Sequence, residues 1–194
     1  MHTPRMPQRI GLLIAAAAGW KLSLDQAPPA RCVIIGAPHT SSWDLALTLL
    51  LMLAAGLRLR WVGKASLFHG PLGWLLRALG GLPVQRAART NFVDQMVAAF
   101  AATDALQIAI LPEGTRGRAA YWKTGFYYIA LGARVPIVMG YADYRRKLVG
   151  LGPTLHPSGD LAADFAAIRA FYSGITGKHP EHQGAIQLRE ADEL

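Results

Sequence analysis

The stretch Cys32-Val-Ile-Ile-Gly-Ala-Pro-His-Thr-Ser-Ser-Trp-Asp44 decides how the rest of the chain is read. Residues 32–36 form a short apolar run rich in β-branched side chains, the pattern of a buried strand. Pro38 breaks that run, and residues 44–56 are apolar and helix-like. His39 therefore falls at a strand-to-helix junction, the kind of loop where scaffolds of alternating strands and helices gather reactive groups. An imidazole titrates near neutral pH and takes a proton from a hydroxyl during attack on an acyl carbon. Asp44, five residues on, is close enough for a tight turn to bring it back to one ring nitrogen, leaving the other as the base. The plainer alternative is a helix start, with Thr40, Ser41 or Ser42 as N-cap and Asp44 favoured by the positive helix end. A nucleophilic Ser41 or Ser42 is a third reading, but no Gly-x-Ser-x-Gly surrounds either residue.

Similar punctuation recurs outward from this stretch. Residues 107–111, Gln-Ile-Ala-Ile-Leu, end at Pro112, which puts Glu113-Gly-Thr-Arg116 in a second strand-end loop. Gly114 permits an unusual backbone conformation, and Arg116 presents a planar fork suited to phosphate oxygens. Gly80-Gly-Leu-Pro-Val-Gln-Arg86 ends a further short strand with another guanidinium, and Arg134-Val-Pro-Ile-Val-Met-Gly140 is a strand with Pro136 near its start. Apolar periodicity predicts helices over 8–23, 44–56, 71–79, 91–103, 120–132 and 160–174. Strands are predicted over 31–36, 58–63, 82–85, 107–111 and 134–139, with short strands near 147–155. Asn91 with Asp94 three residues on reads as a helix start. Alternating strands and helices imply an α/β fold, a single domain whose mainly parallel or mixed β-sheet is covered by helices. Residues 178–194 are polar and read as a surface tail; its His179, Glu181 and His182 form no convincing metal pattern.

At 194 residues the chain is long enough for one self-sufficient core. Its single cysteine, Cys32, excludes an intramolecular disulfide and fits a reducing compartment. Twenty basic against twelve acidic residues give a net charge of +8, which favours an anionic partner. No nucleic-acid-binding signature is present, and 52% hydrophobic content tilts the choice from nucleic acid to lipid. Arg5 and Arg9 precede an apolar stretch, 10–20, that ends in Trp20-Lys21. The order resembles a signal peptide, but no clean small-x-small cleavage site follows. The stretch is shorter than the ~20 residues a spanning helix needs. Its flanking cations and Trp20 suit an N-terminal amphipathic or apolar helix lying at a membrane interface, with packing on the domain as the alternative. Residues 1–24 are thus expected to form an interfacial segment and 25–194 the main domain. The uncharged run 45–57 is also too short to span and reads as a buried helix, able to share the wall of an acyl-chain tunnel.

The ordered blocks, over roughly residues 30–145, make the chain resemble the glycerolipid acyltransferases typified by 1-acylglycerol-3-phosphate acyltransferase. His39 and Asp44 match the family's His-x4-Asp, Arg86 the basic end of its second block, and Glu113, Gly114, Thr115 and Arg116 its Glu-Gly-Thr-Arg block. Val135-Pro136 matches its last block, and Lys64 the lysine after the second strand. Pro38, Gln85 and Gly117 depart from the usual pattern, all in segments that would surround the acceptor. The resemblance implies transfer of a fatty acyl group from acyl-coenzyme A or acyl carrier protein to a lysophospholipid hydroxyl in phospholipid biosynthesis. His39 would be the base and Asp44 its orienter, with Lys64, Arg86 and the 113–116 block binding substrate. Glu113 is expected to shape its loop and orient Arg116 or His39; Lys123 is either an anion contact or an ordinary helix-face lysine. No metal or redox cofactor is expected, because a thioester is already activated. The expected partners are the thioester carrier, the lysophospholipid and an anionic membrane surface, with the protein peripheral on the cytoplasmic face. A lipid or thioester hydrolase and a non-catalytic basic membrane-binding module are the competing functions.

Overall fold

A computed structural model describes residues 5–23, 27–84 and 89–189. Seven strands form one sheet: β1 (Lys21–Ser23), β2 (Arg31–Ala37), β3 (Arg60–Lys64), β4 (Gly81–Val84), β5 (Leu106–Ile110), β6 (Ile137–Asp143) and β7 (Leu148–Leu155). Their order across the sheet is β1-β7-β6-β2-β5-β3-β4. β2 pairs in parallel with β5 and β6, and β3 with β4 and β5, while β6 and β7 form an antiparallel pair. The sheet is therefore mixed, parallel through its centre, as the alternation predicts. The helices are α1 (Met6–Ala17), α2 (Trp43–Ala55), α3 (Gly70–Ala78), α4 (Arg89–Ala101), α5 (Gly125–Ala133) and α6 (Leu161–Tyr172).

Side-chain alternation along β2 sorts the helices into two layers. Val33, Ile35 and Ala37 point into the main core with Phe100 of α4, Phe126 and Ile129 of α5, and Phe165 and Ile168 of α6. Cys32 and Ile34 point the other way, toward Leu59 and α2's Met52. Burial raises the Cys32 thiol to about 12, so it packs as a small hydrophobe. α3 lies on the α2 side, because Phe68, at its entry, packs on Trp61, Gly63 and Gly81. α1 stacks on the outside of α2, where a side chain on Gly11 would collide with the Ala54 backbone. β2 and β5 are adjacent, yet the chain leaves β2 toward α2 on one face and β5 toward α5 on the other. The gap between their carboxyl ends is a topological switch point, where ligand crevices form in sheets of this kind.

Five expectations need correction. The helix predicted over 8–23 stops at Ala17: Gly19 takes φ 72°, and Lys21–Ser23 pair with β7 as an edge strand. The helix predicted from 120 begins at Gly125, because the Trp122 and Lys123 amides donate to Gln187 and Pro112 carbonyls instead of a helical ladder. α4 begins at Arg89, two residues before Asn91, and one eight-residue strand replaces the short strands near 147–155. Residues 178–189 do not trail: Leu188 joins the core, and the His179 amide donates to Thr40 Oγ1 at 3.1 Å.

Candidate active site

His39 and Asp44 meet because the loop after β2 curls over the first turn of α2. His39 Nδ1 and Asp44 Oδ2 are 3.0 Å apart. The same Oδ2 accepts from the Thr40 and Ser41 amides, both at 3.0 Å, so the carboxylate closes the loop that carries the imidazole. Asp44 Oδ1 accepts from the Tyr144 hydroxyl at 2.7 Å. Both carboxylate oxygens are thus occupied in a buried position. Burial favours the neutral acid, but donors from His39, Tyr144 and Ser41 outweigh it and hold Asp44 below the usual carboxylate range. The negative charge they keep fixes the imidazole with Nδ1 engaged and Nε2 left for substrate. The helix-start alternative fits less well: Ser42 occupies the N-cap position without a side-chain cap, and Ser41 Oγ accepts from the Trp43 amide.

Glu113, at the end of β5, reaches His39 through the backbone: its Oε1 accepts from the His39 amide at 2.8 Å. This ties the Glu113–Arg116 loop to the histidine loop across the switch point. Glu113 is only 6% exposed, and its Oε2 is buried without a protein partner. Glu113 also lines a second cavity, with Pro38, Trp122, Tyr172 and Gln183. Burial raises its pKa, against the His39 amide bond that lowers it. Gly114 takes φ 63°, the left-handed turn that only glycine adopts freely. A side chain there would also meet Lys123, which lies in the loop before α5 and not on a helix face. Thr115 Oγ1 accepts from the Gly117 amide. The exposed Arg116 guanidinium donates to Ser42 Oγ at the start of α2, so it sits beside the histidine loop. Lys64 ends β3 on the same edge of the sheet, exposed to solvent. Arg86 lies outside the described residues.

A cleft runs from His39 and Asp44 beneath α2. It encloses about 790 Å³, including the part open to solvent, and its lining is mostly apolar, with Leu45, Leu51, Trp61, Leu111 and Leu151 among its walls. Ile34, Gly36 and Gly140 form its floor. An imidazole backed by a carboxylate thus stands at the polar end of an apolar slot, with a guanidinium at the rim. This set can deprotonate an alcohol or water beside a bound apolar chain.

A protein-family model described as Acyltransferase matches residues 22–139, more than half of the chain. The chain belongs to the acyltransferase family. It is an enzyme that transfers acyl groups, and the His39, Lys64, Arg86 and 113–116 positions all fall within the matched span. No curated protein matches the chain. Among solved structures, it is similar to the 1-acyl-sn-glycerophosphate (LPA) acyltransferase PlsC from Thermotoga maritima. The TM-score is 0.53 at 19% identity, over 78% of this chain and 68% of that one, a likeness of fold.

Two contributors escaped sequence reasoning. Tyr144 lies 100 residues from the carboxylate that it contacts, and Thr40 ties the histidine loop to the tail through His179. Tyr144's position in the β6–β7 turn, at the same sheet edge as His39, was the only signal available.

Proposed function

We propose that this acyltransferase moves a fatty acyl group from a thioester carrier to the hydroxyl of a lysophospholipid such as 1-acylglycerol-3-phosphate, in phospholipid biosynthesis. The observation that carries this reading is the His39–Asp44 pair at the head of an apolar cleft, with Arg116 beside it. Nε2 of His39 takes the acceptor hydroxyl proton as that oxygen attacks the thioester carbonyl carbon. The tetrahedral intermediate collapses, the carbon–sulfur bond breaks, and the proton passes from His39 to the departing thiolate. Products are the acyl ester and the free thiol of coenzyme A or acyl carrier protein. Asp44 orients the imidazole and stabilises its charged form. Glu113 holds the histidine loop in register. Arg116, with Arg86 and Lys64, binds the acceptor phosphate. The cleft takes the acyl chain.

The same reading places the protein on the cytoplasmic face of a membrane, peripherally. Among the described residues no helix is long and apolar enough to cross a bilayer. α1 buries Gly11 and Ala15 against α2 but leaves Ile10, Leu13 and Ile14 exposed. That supports α1 as the interfacial part of the 1–24 segment, docked on one side and lipid-facing on the other.

Thiol release from acyl-coenzyme A or acylated carrier protein, with and without 1-acylglycerol-3-phosphate, tests the proposal. The expected result is acceptor-dependent release with a diacyl product by mass spectrometry. His39→Ala should lower turnover by roughly 10² to 10⁴, the scale of general-base loss, with its circular dichroism unchanged. Acceptor-independent release would make the enzyme a hydrolase, and near-normal turnover in folded His39→Ala would sink the mechanism.

A further inference from the structure

Residues 176–179 reach the reactive pair from two sides. The Thr176 carbonyl accepts from the Tyr144 amide at 2.9 Å, and the Tyr144 hydroxyl donates to Asp44 Oδ1. The His179 amide donates to Thr40 Oγ1, and the Thr40 amide donates to Asp44 Oδ2. Gly177, between them in sequence, is buried against the histidine loop. A Cβ there would stand 2.7 Å from Thr40 Oγ1 and 3.1 Å from Pro38 Cγ. Each oxygen of the orienting carboxylate is therefore held, through one intermediate residue, by the same short segment. That segment lies beyond the span 22–139 that matches the family model.

Its own structure is slight. α6 ends at Tyr172, and the one element that follows among the described residues is a single 3₁₀ turn, Pro180–His182. Ile175 is anchored in the core, but from there to His179 the register depends on one side chain. Gln183 Oε1 accepts from the Gly177 amide at 2.9 Å, and Gln183 Nε2 donates to the Ile175 carbonyl at 3.1 Å. A carboxamide supplies the acceptor and the donor together. Both bonds fall on the residues that flank Thr176, the residue bonded to Tyr144. Farther on, Ile186 and Leu188 seat the tail against the core without help from Gln183. Loss of the carboxamide would loosen 176–179 and leave the tail in place.

We propose that Gln183 is a positioning residue for acyl transfer. It lines the cavity beside Glu113 and not the apolar cleft, so it acts through other residues. It fixes 176–179, these hold Thr40 and Tyr144, and those two keep Asp44 and the His39 loop in the geometry that proton transfer requires. The proposal rests on the roles given above to His39 and Asp44. A small displacement of the pair slows the chemical step. Substrate binding is spared, because none of the residues 175–183 lines the apolar cleft.

The test is steady-state thiol release by the full chain from acyl-coenzyme A or acylated carrier protein, with 1-acylglycerol-3-phosphate as acceptor. Gln183→Met keeps the bulk of the side chain and deletes both hydrogen bonds. It should lower kcat by roughly 10- to 100-fold and leave both KM values within about twofold, the pattern of a small misplacement transmitted to a reacting group. Asp160→Ala removes the side-chain cap of α6 and is the control for stability: it should lower the melting temperature without lowering kcat. Thr40→Val should repeat the kcat loss, whereas Thr40→Ser, which keeps the hydroxyl, should retain most of the activity. Adding Gln183→Met to Thr40→Val should cost less than the product of the two losses, because both act on one path. An unchanged kcat in folded Gln183→Met overturns the proposal. So does a loss shared by Asp160→Ala, or a fully multiplicative loss in the double variant, either of which makes Gln183 a stabilising staple only. Where Gln183→Met does not fold, the Thr40 pair decides, and equal kcat in Thr40→Val and Thr40→Ser overturns the proposal. His39→Ala separates the two readings. Normal turnover in that variant sinks the base assignment and this proposal with it, whereas lost turnover beside an unaffected Gln183→Met sinks this proposal alone.

Discussion

On the face of the sheet covered by α4, α5 and α6, Phe100, Phe126, Ile129, Phe165 and Ile168 are each at most 1% exposed. On the opposite face, α2 and the sheet leave a cleft between them, and α3 turns Trp74 and Leu72 outward. Both layers are apolar helices on the same strands, so composition does not separate them. Packing does. The first face closes over these side chains apart from the cavity beside Glu113, while the second is left open along an apolar cleft beside His39. Fold and function are divided between the two sides of one sheet, with the reactive loops at the edge where they meet.

The largest effect should come from making the two faces alike. Phe165 lies edge-on to Trp122 in the packed layer, and Phe165→Ala should cost about 3–5 kcal/mol through lost burial and the cavity left behind. Leu45→Ala removes a side chain that already borders open space, so the cost should be nearer 1 kcal/mol, with no closed cavity created. Its main consequence should be a changed preference for acyl-chain length. Urea unfolding of the two variants is the comparison. Equal losses would mean that the cleft closes in solution and that the asymmetry is not real.

A smaller effect is expected at the rim of the open face. Arg116→Ala removes a guanidinium exposed beside Ser42, and each charge-assisted hydrogen bond lost to a bound phosphate should cost about 1.5–3 kcal/mol. The loss should fall on kcat/KM for the acceptor, measured with the thioester saturating. A loss confined to the thioester's KM would assign Arg116 to the carrier's phosphates instead.

The two faces were not equally legible in the sequence. β2, α2 and β5 could be read because each is an apolar run bounded by proline, glycine or a polar cluster. The two strand-end loops followed from those boundaries. What could not be read depends on partners distant in the chain. β1 is three residues long and exists because the Lys21 amide donates to the Lys147 carbonyl. Residues 120–124 look helical, but the Trp122 and Lys123 amides are taken by the Gln187 and Pro112 carbonyls. The tail reads as polar, yet Leu188 and Ile186 are enough to seat it against the core. Periodicity carries information about a segment's own faces and none about a carbonyl waiting elsewhere.

The smallest effect should be the most selective. The Tyr144 hydroxyl donates to Asp44 Oδ1 while its ring stands edge-on to Trp20, at 5.0 Å, on the segment that leads from α1 into β1. Tyr144→Phe keeps the ring contact and deletes one hydrogen bond, which to a carboxylate is worth about 1.5 kcal/mol or somewhat more. That bond helps to hold Asp44 below the usual carboxylate range, so its removal lets the pKa rise. The sign follows. With a depressed folded pKa, Asp44 contributes stability that is complete above the ordinary carboxylate value and lost as pH falls through the depressed one. In the variant this loss begins at higher pH. The acid limb of the melting-temperature profile should therefore move upward in Tyr144→Phe, while kcat/KM at neutral pH should change little. An unmoved limb would mean that Tyr144 only packs the β6–β7 turn. A displaced limb would tie the reactive pair to the N-terminal segment through a single side chain.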